Sequence, residues 1–252
     1  MKQLTSPSRR LPCHRQQGFT LIELMIASTV ALFLIGGLLM MVQSTRNAFQ
    51  TQNQLAQFQD NERLAMTFVA EVIESTGYFP NPRLYTSTAV MPVAGVFAAP
   101  GQAVFGTSNA LAPGDTVTVR FGAAQNDNIF NCRGTINAVA PFDTFVNRFW
   151  VDNTVPANPV LTCTFSSSVA NVNVPLVNGV KMLKIWYGIK RNPADTQSCA
   201  DTYLNASQML AADWNNVCTV KITVSFINPL NAAATIDITR VVAVMNTAGV
   251  NS

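Results

Sequence analysis

The sequence predicts an α+β protein in which one long N-terminal helix packs against an antiparallel, β-rich head. Three observations support this fold: an uncharged apolar run near the N-terminus, a helical periodicity that continues beyond it, and short alternating runs in the rest of the chain. With 252 residues, 48% of them hydrophobic, the chain is long enough to bury a sizeable core.

The apolar run covers residues 24–42 and contains no charged side chain. As a helix at ~1.5 Å per residue it would span about 28 Å, the thickness of one bilayer core. Four basic residues and no acidic residue precede residue 18, so the positive-inside rule places the N-terminus in the cytoplasm and residues beyond about 45 outside. These basic residues are Lys2, Arg9, Arg10 and Arg15.

A cleaved secretory signal is the first alternative, because Val42, Gln43 and Ser44 resemble a small-residue cleavage site. The run is longer than the ~7–15 residues of a signal h-region. It also has a carboxylate, Glu23, at its entrance, and a charge at the edge of a membrane helix is costly and usually functional. A retained membrane helix is therefore favoured.

The helical pattern continues over residues 43–76 with an apolar stripe and a polar opposite side. Gly77 is a plausible C-cap, and Pro80 and Pro82 forbid continuation. One continuous helix is predicted, with its stripe in contact with the head. The stripe comprises Leu55, Phe58, Ala65, Val69 and Val72, with a second row at Met66 and Ile73.

The chain beyond Pro82 consists of short β-rich runs separated by Gly, Pro and Asn, and one antiparallel sheet over the helix is the simplest architecture. One strand, with Val220, Ile222, Val224 and Phe226 in alternation, predicts one buried and one wet face. Residues 206–213 are weakly helical, and 89–113 are the most loop-like. The predicted strands are 116–121, 160–165, 182–189, 219–227 and 235–244.

Four cysteines lie in the distal part of the chain, and a fifth, Cys13, lies near the N-terminus. There is no CxxC and a single histidine, His14, so a zinc site has too few ligands. Outside the cytoplasm an even set predicts disulfides, with free buried thiols as the alternative. Three pairings are possible. Local loop closure favours Cys132 with Cys163 and Cys199 with Cys218, each stabilising by roughly 3 kcal/mol.

The charge distribution and the absence of catalytic motifs disfavour two functional classes. The net charge is +3, but the chain after residue 18 has 12 basic and 13 acidic residues without a basic cluster, which disfavours nucleic-acid binding. It contains no GxSxG, HExxH, P-loop or dinucleotide fingerprint, and no histidine after residue 18. We therefore expect no enzyme, no cofactor and no metal.

The segment Gly18-Phe19-Thr20-Leu21-Ile22-Glu23-Leu24 resembles the type IV prepilin signal. The resemblance implies that a membrane peptidase cuts after Gly18 and that Phe19 becomes the N-methylated mature N-terminus. It also implies that Glu23, the fifth mature residue, pairs with the freed amine of a neighbouring subunit during assembly. A snorkelling interface residue without a partner is the alternative interpretation of Glu23.

The head resembles the PilW family of minor pilins in residues 59–65 with Gly77 and Tyr78, in 180–189 and in 213–217. The family often has an arginine where this chain has Glu74, so any role of that arginine is in doubt. The resemblance implies a type IV pilin-like structural subunit that primes pilus assembly and sits at the tip. A minor pseudopilin of type II secretion and a membrane-tethered periplasmic binding domain are the alternatives.

The resemblance also implies an organisation and a set of partners. Residues 1–18 are the leader, 19–43 the transmembrane and assembly helix, 44–78 its amphipathic continuation and 79–252 a periplasmic head. Expected partners are other minor and major pilins, the prepilin peptidase, the inner-membrane assembly platform and a tip adhesin. The protein would sit in the inner membrane and then in the surface fibre.

Trp186, Tyr187 and Trp214 are predicted core residues, with a subunit interface as their alternative.

Overall fold

The structure, a computed structural model, describes residues 18–192 and 199–245. Packing divides the chain into two units that meet between Asn53 and Gln54, and each unit is described by itself. The predictions on Cys13, His14, the four basic residues and the rest of the leader up to residue 17 lie outside the described residues.

A single helix, α1, runs from Leu21 to Glu74 and confirms the predicted continuous helix. After it, Gly77 adopts φ +80°, a left-handed backbone conformation that favours glycine and ends the helical geometry. In the first unit nearly every side chain of α1 is exposed within the chain. By length and composition, this part of α1 is able to cross a membrane.

In the second unit, the part of α1 after Gln54 packs on the head through the predicted stripe. Phe58 is half-buried, and its ring meets the ring of Phe226 edge-to-face with centroids 5.7 Å apart. Leu55 is also half-buried. Burial is deepest toward the helix C-terminus, where both predicted rows are confirmed: Ala65, Met66, Val69, Val72 and Ile73.

The head contains two antiparallel sheets, so the expectation of one sheet is wrong. Sheet I has the order β1-β2-β3-β4-β5, and sheet II has the order β7-β6-β8-β9. The strands of sheet I are Val104–Thr107, Thr116–Ala124, Phe142–Asp152, Val160–Ser166 and Asn171–Asn178. In sheet II, β6 is Val180–Ile189, β7 Thr202–Leu204, β8 Val217–Asn228 and β9 Asn231–Ala243.

The sequence predicted β2, β4, β6, β8 and β9 but missed the other four strands. Strand β3 was missed because Asn147 and Arg148 interrupt its apolar pattern, and β5 because it contains Pro175. Strand β1 lies in the stretch expected to be a loop, and the short helix α2, Ser87–Val90, ends within the first two residues of that stretch. The predicted weak helix at 206–213 contains one 3₁₀ turn, Ala206–Gln208, and a second turn, Asp213–Asn216, begins at its last residue.

The core of the head combines α1 with side chains from both sheets. The predicted inward face of β8 is confirmed, because its four alternating apolar residues are all buried: Val220, Ile222, Val224 and Phe226. Tyr187 and Trp214 are core residues, as predicted, with ring centroids 4.9 Å apart. Trp186 is half-buried on the other face of β6, with the Lys221 amine 5.2 Å from its ring centroid.

The two sheets are joined at Asp115, whose carboxylate is buried. Its Oδ2 accepts from the backbone N–H of Ile185 at 2.8 Å, and its Oδ1 accepts from the N–H of Asn109 at 2.8 Å. The Asp115 N–H donates to the Leu183 carbonyl at 2.7 Å. Gly114 has φ +93°, and a Cβ there would overlap that carbonyl. This joint therefore requires glycine followed by an acceptor side chain.

Candidate assembly site

The N-terminus of α1 has a capping box formed by Thr20 and Glu23. The Glu23 Oε2 accepts from the Thr20 hydroxyl at 3.2 Å and from the Thr20 N–H at 3.4 Å. In return, the Glu23 N–H donates to the Thr20 hydroxyl oxygen at 3.4 Å and to its carbonyl at 3.1 Å. The arrangement satisfies donors that the helix cannot satisfy itself and places a negative charge at the positive end of its dipole.

Gly18 and Phe19 lie in the non-helical segment that immediately precedes α1. Phe19 is 83% exposed, and no atom lies within 4 Å of where a Gly18 Cβ would stand. No described residue therefore covers the peptide bond between them. Glu23 is also exposed, and among the described residues its carboxylate accepts hydrogen bonds only from Thr20. Cleavage, methylation and charge pairing at these residues stay predictions.

The apolar surface of α1 between Leu21 and Val42 has no packing partner in the described chain. Its few polar side chains are satisfied inside the helix: the Ser28 hydroxyl donates to the Met25 carbonyl at 2.9 Å, and the Thr29 hydroxyl donates to the Ile26 carbonyl at 2.8 Å. A helix that satisfies its own polar atoms can enter lipid or a bundle of other helices without an unpaired donor.

Two disulfides stabilise the head and join the same pairs that the sequence favours. One links Cys132 to Cys163, and the other links Cys199 to Cys218. The backbone N–H of Cys132 donates to the Asn147 side-chain oxygen at 2.9 Å. Asn147 is fully buried on β3, and nothing in the sequence pattern indicated its role.

The residues that resemble PilW come together at the end of α1 and in the core. The N–H of Gly77 donates to the Arg120 carbonyl at 3.0 Å, and the Tyr78 carbonyl accepts from the N–H of Gly122 at 2.8 Å. The Gly-Tyr pair therefore attaches the helix end to β2. Burial, together with the nearby negative charge of Asp127, raises the pKa of the Tyr78 hydroxyl. Glu74, at the position of the family's arginine, is exposed.

The other two resembling segments meet around Trp214. Residues 180–189 form strand β6, and residues 213–217 carry Trp214 against Tyr187. The Tyr187 hydroxyl donates to the Thr116 carbonyl at 3.5 Å, and full burial raises the pKa of this hydroxyl. A Cβ on Gly106 would overlap that hydroxyl, so the site needs a glycine. These residues hold the fold of the head and form no reactive constellation.

Sequence reasoning missed the three buried charged residues among the described residues of the head, Asp115, Arg120 and Asp143. A single charged residue in or next to a strand has no periodicity or spacing that distinguishes burial from exposure. Within residues 18–192 and 199–245, no cluster of three or more His, Cys, Asp or Glu side chains could hold a metal ion.

Two family models match this chain. The first is described as Type IV Pilus-assembly protein W and matches residues 148–244, from within β3 to just after β9. The second is the Prokaryotic N-terminal methylation motif, which matches residues 13–39 and so includes the Thr20–Glu23 capping box. No curated protein and no solved structure matches the chain.

Proposed function

The chain matches a PilW-family type IV pilin, through its head and its N-terminal methylation motif, and from this we propose that it is a minor pilin that primes pilus assembly and occupies the tip. The observation that carries the proposal is the exposed Glu23 carboxylate at the N-terminus of a fully exposed apolar helix half. Subunits of this form need other helices to cover that surface, which a fibre core supplies.

The first step of the proposed mechanism is cleavage after Gly18. The bond between Gly18 and Phe19 precedes the first helical turn, so a protease can bind it in an extended conformation without unwinding α1. Glycine has no side chain to obstruct the attacking group. Cleavage removes the basic leader and leaves a new amine on Phe19, four residues before Glu23.

In the second step, the Glu23 carboxylate exchanges its hydrogen bonds with Thr20 for an ion pair with the Phe19 amine of a neighbouring subunit. Within the part of the chain that the structure describes, this carboxylate accepts only long hydrogen bonds, 3.2 and 3.4 Å, from its own Thr20. A charged amine is a stronger partner, and the pair gains most in a dry helix bundle where charges are poorly screened. Because lipid and bundle are equally apolar, helix packing and this pair must set the register between subunits.

The processing step is tested by determining the N-terminal residue and mass of the protein from membranes with and without the prepilin peptidase. We expect an N-methylated Phe19 that depends on the peptidase. An intact Met1, or a secretory-type start near Thr45, would contradict the proposal and favour a tethered binding domain instead.

The pairing step is tested with Glu23→Ala, using Glu71→Ala as the matched control because Glu71 is exposed on the same helix. We expect both variants to be processed to Phe19 and only Glu23→Ala to lose surface fibres, counted by electron microscopy. Normal piliation in Glu23→Ala would refute the pairing role, as would an equal loss in both variants.

The tip position is tested by labelling an epitope inserted after Leu230, an exposed residue in the turn between β8 and β9. We expect deletion of the gene to reduce fibre number and the label to mark only fibre ends. Label along the whole shaft would contradict the tip position. A secretion defect with normal fibres would identify the chain as a minor pseudopilin of type II secretion.

A further inference from the structure

A cavity of about 480 Å³ lies in the head on the face of sheet I that carries Thr118, Val146 and Thr164. Its floor consists of two rows of directly paired residues on strands β2, β3 and β4. One row is Thr118, Arg148 and Thr164, and the other is Arg120, Val146 and Ser166. The volume lies in the range of natural small-molecule sites, and the floor belongs to a sheet, which positions side chains rigidly.

The wall of the cavity is a tight turn between Ala94 and Phe97 that passes through Gly95 at φ +57°. The Arg120 guanidinium fixes this wall. Its centre lies 4.1 Å from the Phe97 ring centroid, and it donates to the carbonyls of Gln102 at 2.6 Å and Met91 at 3.1 Å. It also donates to the carbonyl of Pro92, two residues before the wall. The cavity is therefore preformed.

The cavity contains two arginines, neither of which forms an ion pair among the described residues. Arg120 is only 1% exposed, and its hydrogen-bond acceptors are all neutral carbonyls. This burial lowers its pKa to about 10, which reflects the cost of holding the cation away from water. Arg148 lies on the exposed side of the floor, 5.8 Å from the Trp150 ring centroid, and forms no ion pair among the described residues.

One carboxylate, Asp143, lines the cavity, but donors already surround it. It accepts from the Ser168 hydroxyl at 2.7 Å and from the Thr144 N–H at 2.8 Å. The remaining polar groups of the lining are hydroxyls, including those of Thr118 and Ser166, and the apolar lining includes Val96 and Val146. The site therefore combines an unpaired cation, several hydroxyls and an apolar surface of moderate size.

We propose that this cavity binds a sugar acid, a pyranose ring that bears a carboxylate, such as one unit of an acidic surface polysaccharide. Arg148 binds the carboxylate, the floor hydroxyls bind the ring hydroxyls, and Val96 and Val146 contact the apolar face of the ring. A guanidinium is suited to a carboxylate because both are planar and form paired hydrogen bonds. The site is independent of the assembly residues on α1.

The test measures binding of D-glucuronate by calorimetry to the full-length protein in detergent, with D-glucose as the uncharged match. We expect saturable binding of glucuronate and at least about tenfold weaker binding of glucose, the effect of one charge-assisted contact. Arg148→Ala should weaken glucuronate binding about tenfold. The matched control is Arg240→Ala, which removes an exposed arginine from β9, outside the cavity lining, and should bind as the wild type does.

A second variant, Ser166→Leu, fills the cavity without changing the net charge and should abolish binding. Thermal unfolding of each variant checks that the head is intact. Absence of glucuronate binding to the wild type would overturn the proposal, as would equal affinity for glucose. Equal weakening by Arg148→Ala and Arg240→Ala would also overturn it, because it would indicate a general charge effect. Unchanged binding by a folded Ser166→Leu would place the sugar elsewhere.

Discussion

The first half of α1, residues 21–53, and its second half, residues 54–74, are both helical and both carry apolar side chains, yet only the second half contains buried residues. Ile35, in the first half, is 53% exposed, whereas Ile73, in the second half, is fully buried. The second half gains its burial from the sheets of the head. The apolar side chains of the first half are not buried by any described residue, so lipid or other subunits must cover them. One helix therefore serves two environments.

The largest expected difference between the two halves comes from truncating one isoleucine to alanine in each. Ile73→Ala removes fully buried atoms and should lower the free energy of unfolding of the head by about 2–5 kcal/mol. Ile35→Ala, in contrast, should leave that free energy unchanged. Denaturant unfolding in detergent measures both, and an equal loss in the two variants would contradict the separation of the halves.

Removing the disulfide between Cys132 and Cys163 tests whether covalent stabilisation is confined to the head. The double variant Cys132→Ser with Cys163→Ser should lower the free energy of unfolding by about 3 kcal/mol, since the unfolded chain regains freedom. Membrane insertion through the first half of α1, measured by carbonate extraction, should not change. Loss of insertion would show that the two halves depend on each other.

A substitution at the Asp115 joint should give the next largest loss of stability. Asp115→Asn keeps the side chain's size but replaces a charged acceptor. It should lower the free energy of unfolding by about 1–3 kcal/mol, because the Asn109 N–H donates to one carboxylate oxygen and the Ile185 N–H to the other. Asp237→Asn, on the exposed side of β9, is the matched control and should change stability little. A comparable loss in the control would indicate that overall charge, not the joint, is responsible.

The smallest effect is expected at the start of α1. Thr20→Ala removes the capping hydroxyl and should destabilise the first helical turn by about 1 kcal/mol, whereas Thr20→Ser should retain most of the cap. Hydrogen exchange in detergent should report faster exchange only in the first turn. Unchanged protection in Thr20→Ala would show that the capping box does not stabilise the helix start.

The sequence by itself determined the long helix, the predicted burial of Ile73 and its row, the strand character of β8 and the N-terminal motif. These features follow from local periodicity or from a contiguous string, and both are readable without any long-range contact. The favoured cysteine pairs also followed from loop length. The resemblance to PilW rests on short segments of the sequence, and the family model matches residues 148–244.

Only the tertiary structure decided the division of the strands into two sheets, the Asp115 joint and the buried Arg120 beneath the cavity wall. Strands β3 and β5 were hidden because Asn147 and Arg148 interrupt the apolar pattern of β3 and because β5 contains Pro175. Whether a charged residue in a strand is exposed or buried depends on which carbonyls and amides surround it. Those partners lie up to 70 residues away, as between Asp115 and Ile185, and no local pattern records them.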